Sequence, residues 1–124
     1  MNATVLRIYH NGNVLAKNPH WHLGVSSDGR ICGEVLPCEG VRKEFDEQLS
    51  EVEARILFET ADAMSQLFPP VEQHVGHCHD DVCIQGGAPG KLLYRYIVPP
   101  AEQSRDSVSE FFRILKRVVE KYVG

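Results

Sequence analysis

The sequence predicts an α+β fold, an antiparallel sheet with two helices packed on one of its faces, in the order strands, helix, strands, helix. Three observations carry this. Short β-branched and aromatic runs, broken by Asn-Gly and Asp-Gly steps, fill the first third of the chain, and a second strand pair comes later. Two longer stretches of helical character follow these strand groups, and each opens on a Ser-x-x-Glu box. The 124 residues, 43% hydrophobic and 24% charged, match one domain with one core, so residues 1–124 are expected to form a single α+β domain.

Thr4 to His10 runs into Asn11-Gly12, a dipeptide suited to the positive φ angles of a tight turn, and Val14 to Lys17 resumes. This predicts a first hairpin. His20 to Ser26 and Arg30 to Leu36 flank Ser27-Asp28-Gly29, which predicts a second. Cys38 to Asp46 has no period and reads as a connection. Ser50-Glu51-Val52-Glu53 is a capping box, and the helix it starts is expected over 51–68, where Pro69-Pro70 stops it. Val82 to Gln85 and Lys91 to Val98 predict another strand pair, joined by the glycine-rich loop Gly86 to Gly90. A second capping box, Ser107-Val108-Ser109-Glu110, introduces the last helix, whose apolar stripe is Val108, Phe111, Phe112, Leu115, Val118, Val119 and Tyr122. The resulting order of elements is similar to that of small proteins such as the protease inhibitor emfourin, a likeness that carries over no residue.

The net charge of −4, with basic residues dispersed, argues against nucleic-acid binding and against attachment to anionic membranes. No apolar run approaches the length of a membrane span, and Met1 to His10 lacks a greasy signal region, so a cytoplasmic protein is expected. In that compartment Cys32, Cys38, Cys78 and Cys83 are expected as thiols or metal ligands rather than disulfides.

Chemistry concentrates in His74 to Cys83, which holds three imidazoles, two thiols and two carboxylates. Zinc takes nitrogen and sulfur donors in a tetrahedron, so the candidate ligands are His77, His79, Cys78 and Cys83, joined by His20 and His22, which share a face of one strand. If Asp80-Asp81 were a two-residue hairpin turn, Cys78 would face Cys83 across the ladder. The Cys spacings of four and five intervening residues do not fit a zinc knuckle, and solvated histidines are the simpler reading. Cys78 between His77 and His79 resembles an activated thiol only in sequence, because strand neighbours point to opposite faces; an inert thiol is expected. Asp80 and Asp81 read as a solvated acidic pair, and no catalytic residue is assigned.

The remaining signal is the first helix. Glu51, Arg55, Glu59, Asp62 and Gln66 share one narrow strip, while Val52, Ile56, Leu57, Phe58, Ala61, Met64, Leu67 and Phe68 cover most of the rest. One sheet face rarely buries so wide an apolar surface, so Leu57, Phe58, Ala61, Met64 and Phe68 are expected to meet a partner. The function expected is that of a small non-catalytic protein acting through protein–protein contacts, as a homodimer or with another protein, in a regulatory, inhibitory or chaperone-like role. No cofactor is expected in it. The alternative is a zinc-binding protein using the cluster from His74 to Cys83, structural rather than catalytic.

Overall fold

Inward and outward residues alternate along every strand, and that period places one hydrophobic layer on one face of a sheet. The structure, a computed structural model, describes residues 4–13, 15–72, 78–88 and 90–123. Its strands are β1 (Thr4–His10), β2 (His20–Ser26), β3 (Arg30–Leu36), β4 (Lys43–Gln48), β5 (Val82–Ala88) and β6 (Lys91–Val98), and its helices are α1 (Glu51–Met64) and α2 (Ser109–Glu120). The strands form one antiparallel sheet in the order β4-β3-β2-β1-β5-β6. The chain therefore meanders from β1 to one edge and returns beside β1 through α1.

Leu6 and Ile8 of β1, Leu23 and Val25 of β2, Ile31 and Val35 of β3, Phe45 of β4, Ile84 of β5 and Tyr96 of β6 all point to the helical face and are buried. Both helices close that layer. Tyr96 donates its hydroxyl to the Ala61 carbonyl at 2.5 Å, tying β6 to α1. Phe45 stacks on Tyr122 at 4.9 Å, and Lys121 and Tyr122 both reach the Glu47 carboxylate, which pins the end of α2 to β4. Those two hydrogen bonds hold the Glu47 carboxyl below the usual carboxylate range.

The expected class and element order are present, with local differences that have physical causes. The hairpin partner of β1 is β2, not the stretch from Val14 to Lys17; Leu15 to Lys17 form a turn, and Val14 lies outside the described residues. The Cys38 to Asp46 stretch is not all connection, because Lys43–Gln48 pairs with β3 and buries Phe45 between charged neighbours. The Ser50 box forms as expected, Ser50 Oγ accepting from Glu53 N–H. Helix α1 stops at Met64, short of the expected residue 68, as Ser65 and Gln66 close it with tighter turns. Strand β5 extends through Ala88 across a bulge at Gly86 and Gly87, into the predicted loop; Pro89 lies outside the described residues. The second capping box does not form: α2 begins at Ser109 after Val108, and no side chain caps it. No described helix is long and apolar enough to cross a membrane.

Helix α1 corrects the expectation about its surface. Ala54, Leu57, Ala61 and Met64 make a single stripe that is buried within this one chain, so Leu57, Ala61 and Met64 cannot meet a partner. Phe58 and Phe68 are partly buried and pack against the same core, Phe68 stacking on Tyr96 at 5.9 Å. The physical reason is that α1 has two neighbours, the sheet below and α2 beside it, so its wide apolar arc is covered on two sides. The large apolar residues of this segment left exposed are Val52 and Leu67.

Candidate functional site

Where β1 ends and β2 begins, the chain makes a loop instead of a tight turn, and this loop builds one wall of a groove. His10 closes β1 opposite Trp21 of β2 and Val82 of β5 in the register. Its imidazole lies against the Trp21 indole, centroids 5.2 Å apart and planes 16° from parallel. Nδ1 lies 2.8 Å from the Pro19 carbonyl, which can only accept, so this nitrogen carries a proton. Nε2 faces Asp80 Oδ1 at 3.2 Å, and Asn18 Nδ2 donates to the same oxygen at 3.1 Å. Burial pushes the imidazole below its ordinary value and outweighs the raising pull of the Pro19 carbonyl and the Asp80 carboxylate.

The turn that carries Asp80 is locked to the loop by backbone pairing. Asp80 N–H donates to the Asn11 carbonyl at 2.7 Å, Asn11 N–H to the Asp81 carbonyl at 3.1 Å, and Gln103 Nε2 to the Asp80 carbonyl at 2.9 Å. Asp80 sits at φ 66°, a left-handed conformation that aspartate tolerates better than most residues. Gly12 is held from both sides. Its N–H donates to His20 Nδ1 and its carbonyl accepts from His79 Nδ1, each at 2.9 Å. A Cβ at Gly12 would lie 2.7 Å from Asn18 O, Pro19 C and His20 N, so only glycine fits here.

The facing wall is α2. Phe112, Leu115, Val119 and Val123 line a cavity of about 480 Å³ together with Trp21, Pro19 and Val82. Its ionisable lining residues are Lys17 on the loop, Lys116 and Glu120 on α2, and the His10–Asp80 pair. That is the make-up of a small-molecule site, an apolar concavity with a few convergent polar groups. Among the described residues lining it there is no hydroxyl or thiol nucleophile.

The residues singled out from the sequence scatter around this loop without forming one centre. His20 and His79 clamp Gly12, whereas His22 pairs with Glu34 at 2.7 Å. Cys78 and Cys83 do not face each other, because β5 pairs with β1 and β6; the cross-strand neighbours of Cys83 are Tyr9 and Ile97. Cys83 is buried, and Cys78 is exposed in the turn before β5. Burial pushes the Cys83 thiol up to about 11. His74 and His77 lie outside the described residues. Among the described residues no three His, Cys, Asp or Glu side chains gather where they could hold a metal ion.

Sequence reading passed over His10, Lys17 and the groove itself. Phe112 was legible as part of the α2 stripe, but nothing local links His10 to Asp80, seventy positions away. The fold and groove together define an α+β protein, a six-stranded antiparallel sheet backed by two helices, with a concavity at one end of the sheet. No family model, curated protein or solved structure matches this chain.

Proposed function

We propose that this is a non-catalytic binding protein whose recognition site is the groove between Trp21 and α2, and whose ligand is a small molecule with an apolar, ring-bearing body. The observation that carries the reading is a cavity of about 480 Å³ lined by the stacked rings of His10 and Trp21 and by Phe112 and Val119 of α2. Flat aromatic walls favour a planar guest through offset stacking and area burial. The test uses the single tryptophan as reporter. Energy transfer from Trp21 to the neutral probe phenylnaphthylamine is expected to saturate at one probe per chain, and to be lost in Val119→Phe, which fills the groove, while the circular dichroism stays native. Absent transfer, or saturable transfer unchanged in folded Val119→Phe, overturns the proposal.

A second reading, self-association through protein contacts, is supported by a specific feature away from α1. Leu92 and Leu93 on the edge strand β6 are 51% and 66% exposed. Among the described residues, the strand is flanked only near Arg95 and Tyr96, where Val71 N–H donates to the Arg95 carbonyl and Pro70 bridges to Tyr96. A bare edge with apolar side chains is a template for a second strand. Light scattering is expected to give a dimer that Leu93→Lys dissociates. A monomer at every concentration removes this reading.

A further inference from the structure

We infer that His20 is an acid-sensitive latch on the loop between β1 and β2: its bare ring nitrogen holds Gly12 at neutral pH, and a proton taken up there releases it. The inference concerns the loop itself and stands whether or not the groove takes a ligand. Three imidazoles grip this loop by its backbone, His10 at the Pro19 carbonyl, His79 at the Gly12 carbonyl and His20 at the Gly12 N–H, at 2.8, 2.9 and 2.9 Å. The direction of each bond sets its response to acid. A carbonyl only accepts, so His10 and His79 donate through Nδ1 and keep their bonds whether neutral or charged. A backbone N–H only donates, so His20 Nδ1 must offer a lone pair, and a proton on that nitrogen removes the acceptor.

The surroundings do nothing to hold a charge on His20 in place. On β1, His10 lies close enough for two cationic rings to repel. The turn before β5 brings His79, bonded to Gly12, and Asp80, which is engaged by His10 and Asn18. Across on β3 stands the uncharged Leu36, and the segment after it reaches the loop through the Cys38 thiol, which donates to the Asn18 carbonyl. The charged residue of the loop itself, Lys17, is a further cation. Among the described residues the histidine–carboxylate pairs are His10–Asp80 and His22–Glu34, so His20 has none. Gly12 is buried, and an unpaired N–H there is costly, so the loop shifts to bring it to water once the bond is lost. Lys17, Asn18 and Pro19 of this loop line the groove, whose wall moves with it.

Amide hydrogen exchange of the full chain reads the latch directly, each rate being referred to that of an unstructured chain at the same pH. Protection of Gly12 relative to that of core Ile8 is expected to fall by roughly tenfold or more between pH 7.5 and pH 5, across the ordinary range of imidazole titration. The ratio is expected to stay level in His20→Asn, whose Oδ1 stands as many bonds from the backbone as Nδ1 and accepts at either pH. A ratio that does not change with pH, or one that falls as far in folded His20→Asn, overturns the inference. Should that variant not fold, the ring nitrogen shifts of His20 in the native protein decide instead. Nδ1 is expected to be bare at pH 7.5 and to gain its proton as Gly12 is released; a protonated Nδ1 at pH 7.5, or one still bare after Gly12 has been released, overturns it.

Discussion

His10 lies flat on Trp21, and the same imidazole reaches Asp80 with its far nitrogen, so one side chain joins the aromatic wall of the groove to its polar end. The two loops that frame the groove, residues 11–19 and the turn around Asp80, meet at this contact. A change in the charge of His10 is therefore felt by both.

The first prediction concerns pH. Burial lowers the His10 imidazole, so between its folded value and the ordinary 6.5 the unfolded chain binds more protons than the folded one. Stability is then fully present above 6.5 and is lost as the pH falls through the folded value. Urea midpoints should fall from pH 7 to pH 5, and His10→Gln should flatten part of that slope. Parallel profiles for the two proteins would show that His10 takes no part.

Tyr96 supplies the second. Its ring is buried, and its hydroxyl donates to the Ala61 carbonyl inside the interface of β6 and α1. Tyr96→Phe keeps the ring and removes the donor, which should cost about 1 to 2 kcal/mol in denaturant unfolding. No measurable change would mean that this bond is not formed in solution.

Helix α1 offers a sharper contrast. Leu57 is fully buried under the sheet and α2, whereas Val52 is 63% exposed. Leu57→Ala should destabilise the chain by about 2 to 5 kcal/mol, and Val52→Ala by roughly 0.5 kcal/mol or less. A mild Leu57→Ala would revive the idea that this stripe faces a partner.

The thiols can be sorted by reactivity. Cys32, Cys38 and Cys78 are exposed, while Cys83 is buried with its thiol pushed up to about 11, leaving almost no thiolate at neutral pH. Iodoacetamide followed by mass spectrometry should add three labels to the native protein and a fourth only after denaturation. Rapid labelling of all four would contradict the packing of Cys83 between Tyr9 and Ile97.

Local patterns explain how much was legible. The Asp28-Gly29 turn, the Ser50 capping box and the apolar stripe of α2 are written in neighbouring residues, and each is found where the sequence places it. Strand β4 escaped because Phe45 is its one fully inward apolar residue, too few to set a period. The Asn11-Gly12 step misled, since Gly12 serves a close approach between His20 and His79 rather than a two-residue turn. The cysteine and histidine cluster misled for the same reason: side chains close in sequence diverge once β5 is claimed by β1 and β6 on its two sides.

By itself the sequence determined the class of fold, because hydrophobic period and capping chemistry act over a few residues at a time. Which residues share a site was decided only by the tertiary structure. His10, Lys17, Trp21, Asp80 and Phe112 come together because β5 inserts beside β1 and α2 lies across the end of the sheet. Such contacts depend on strand order and helix placement, which are set by burying one core as a whole and leave no mark in any short stretch of chain.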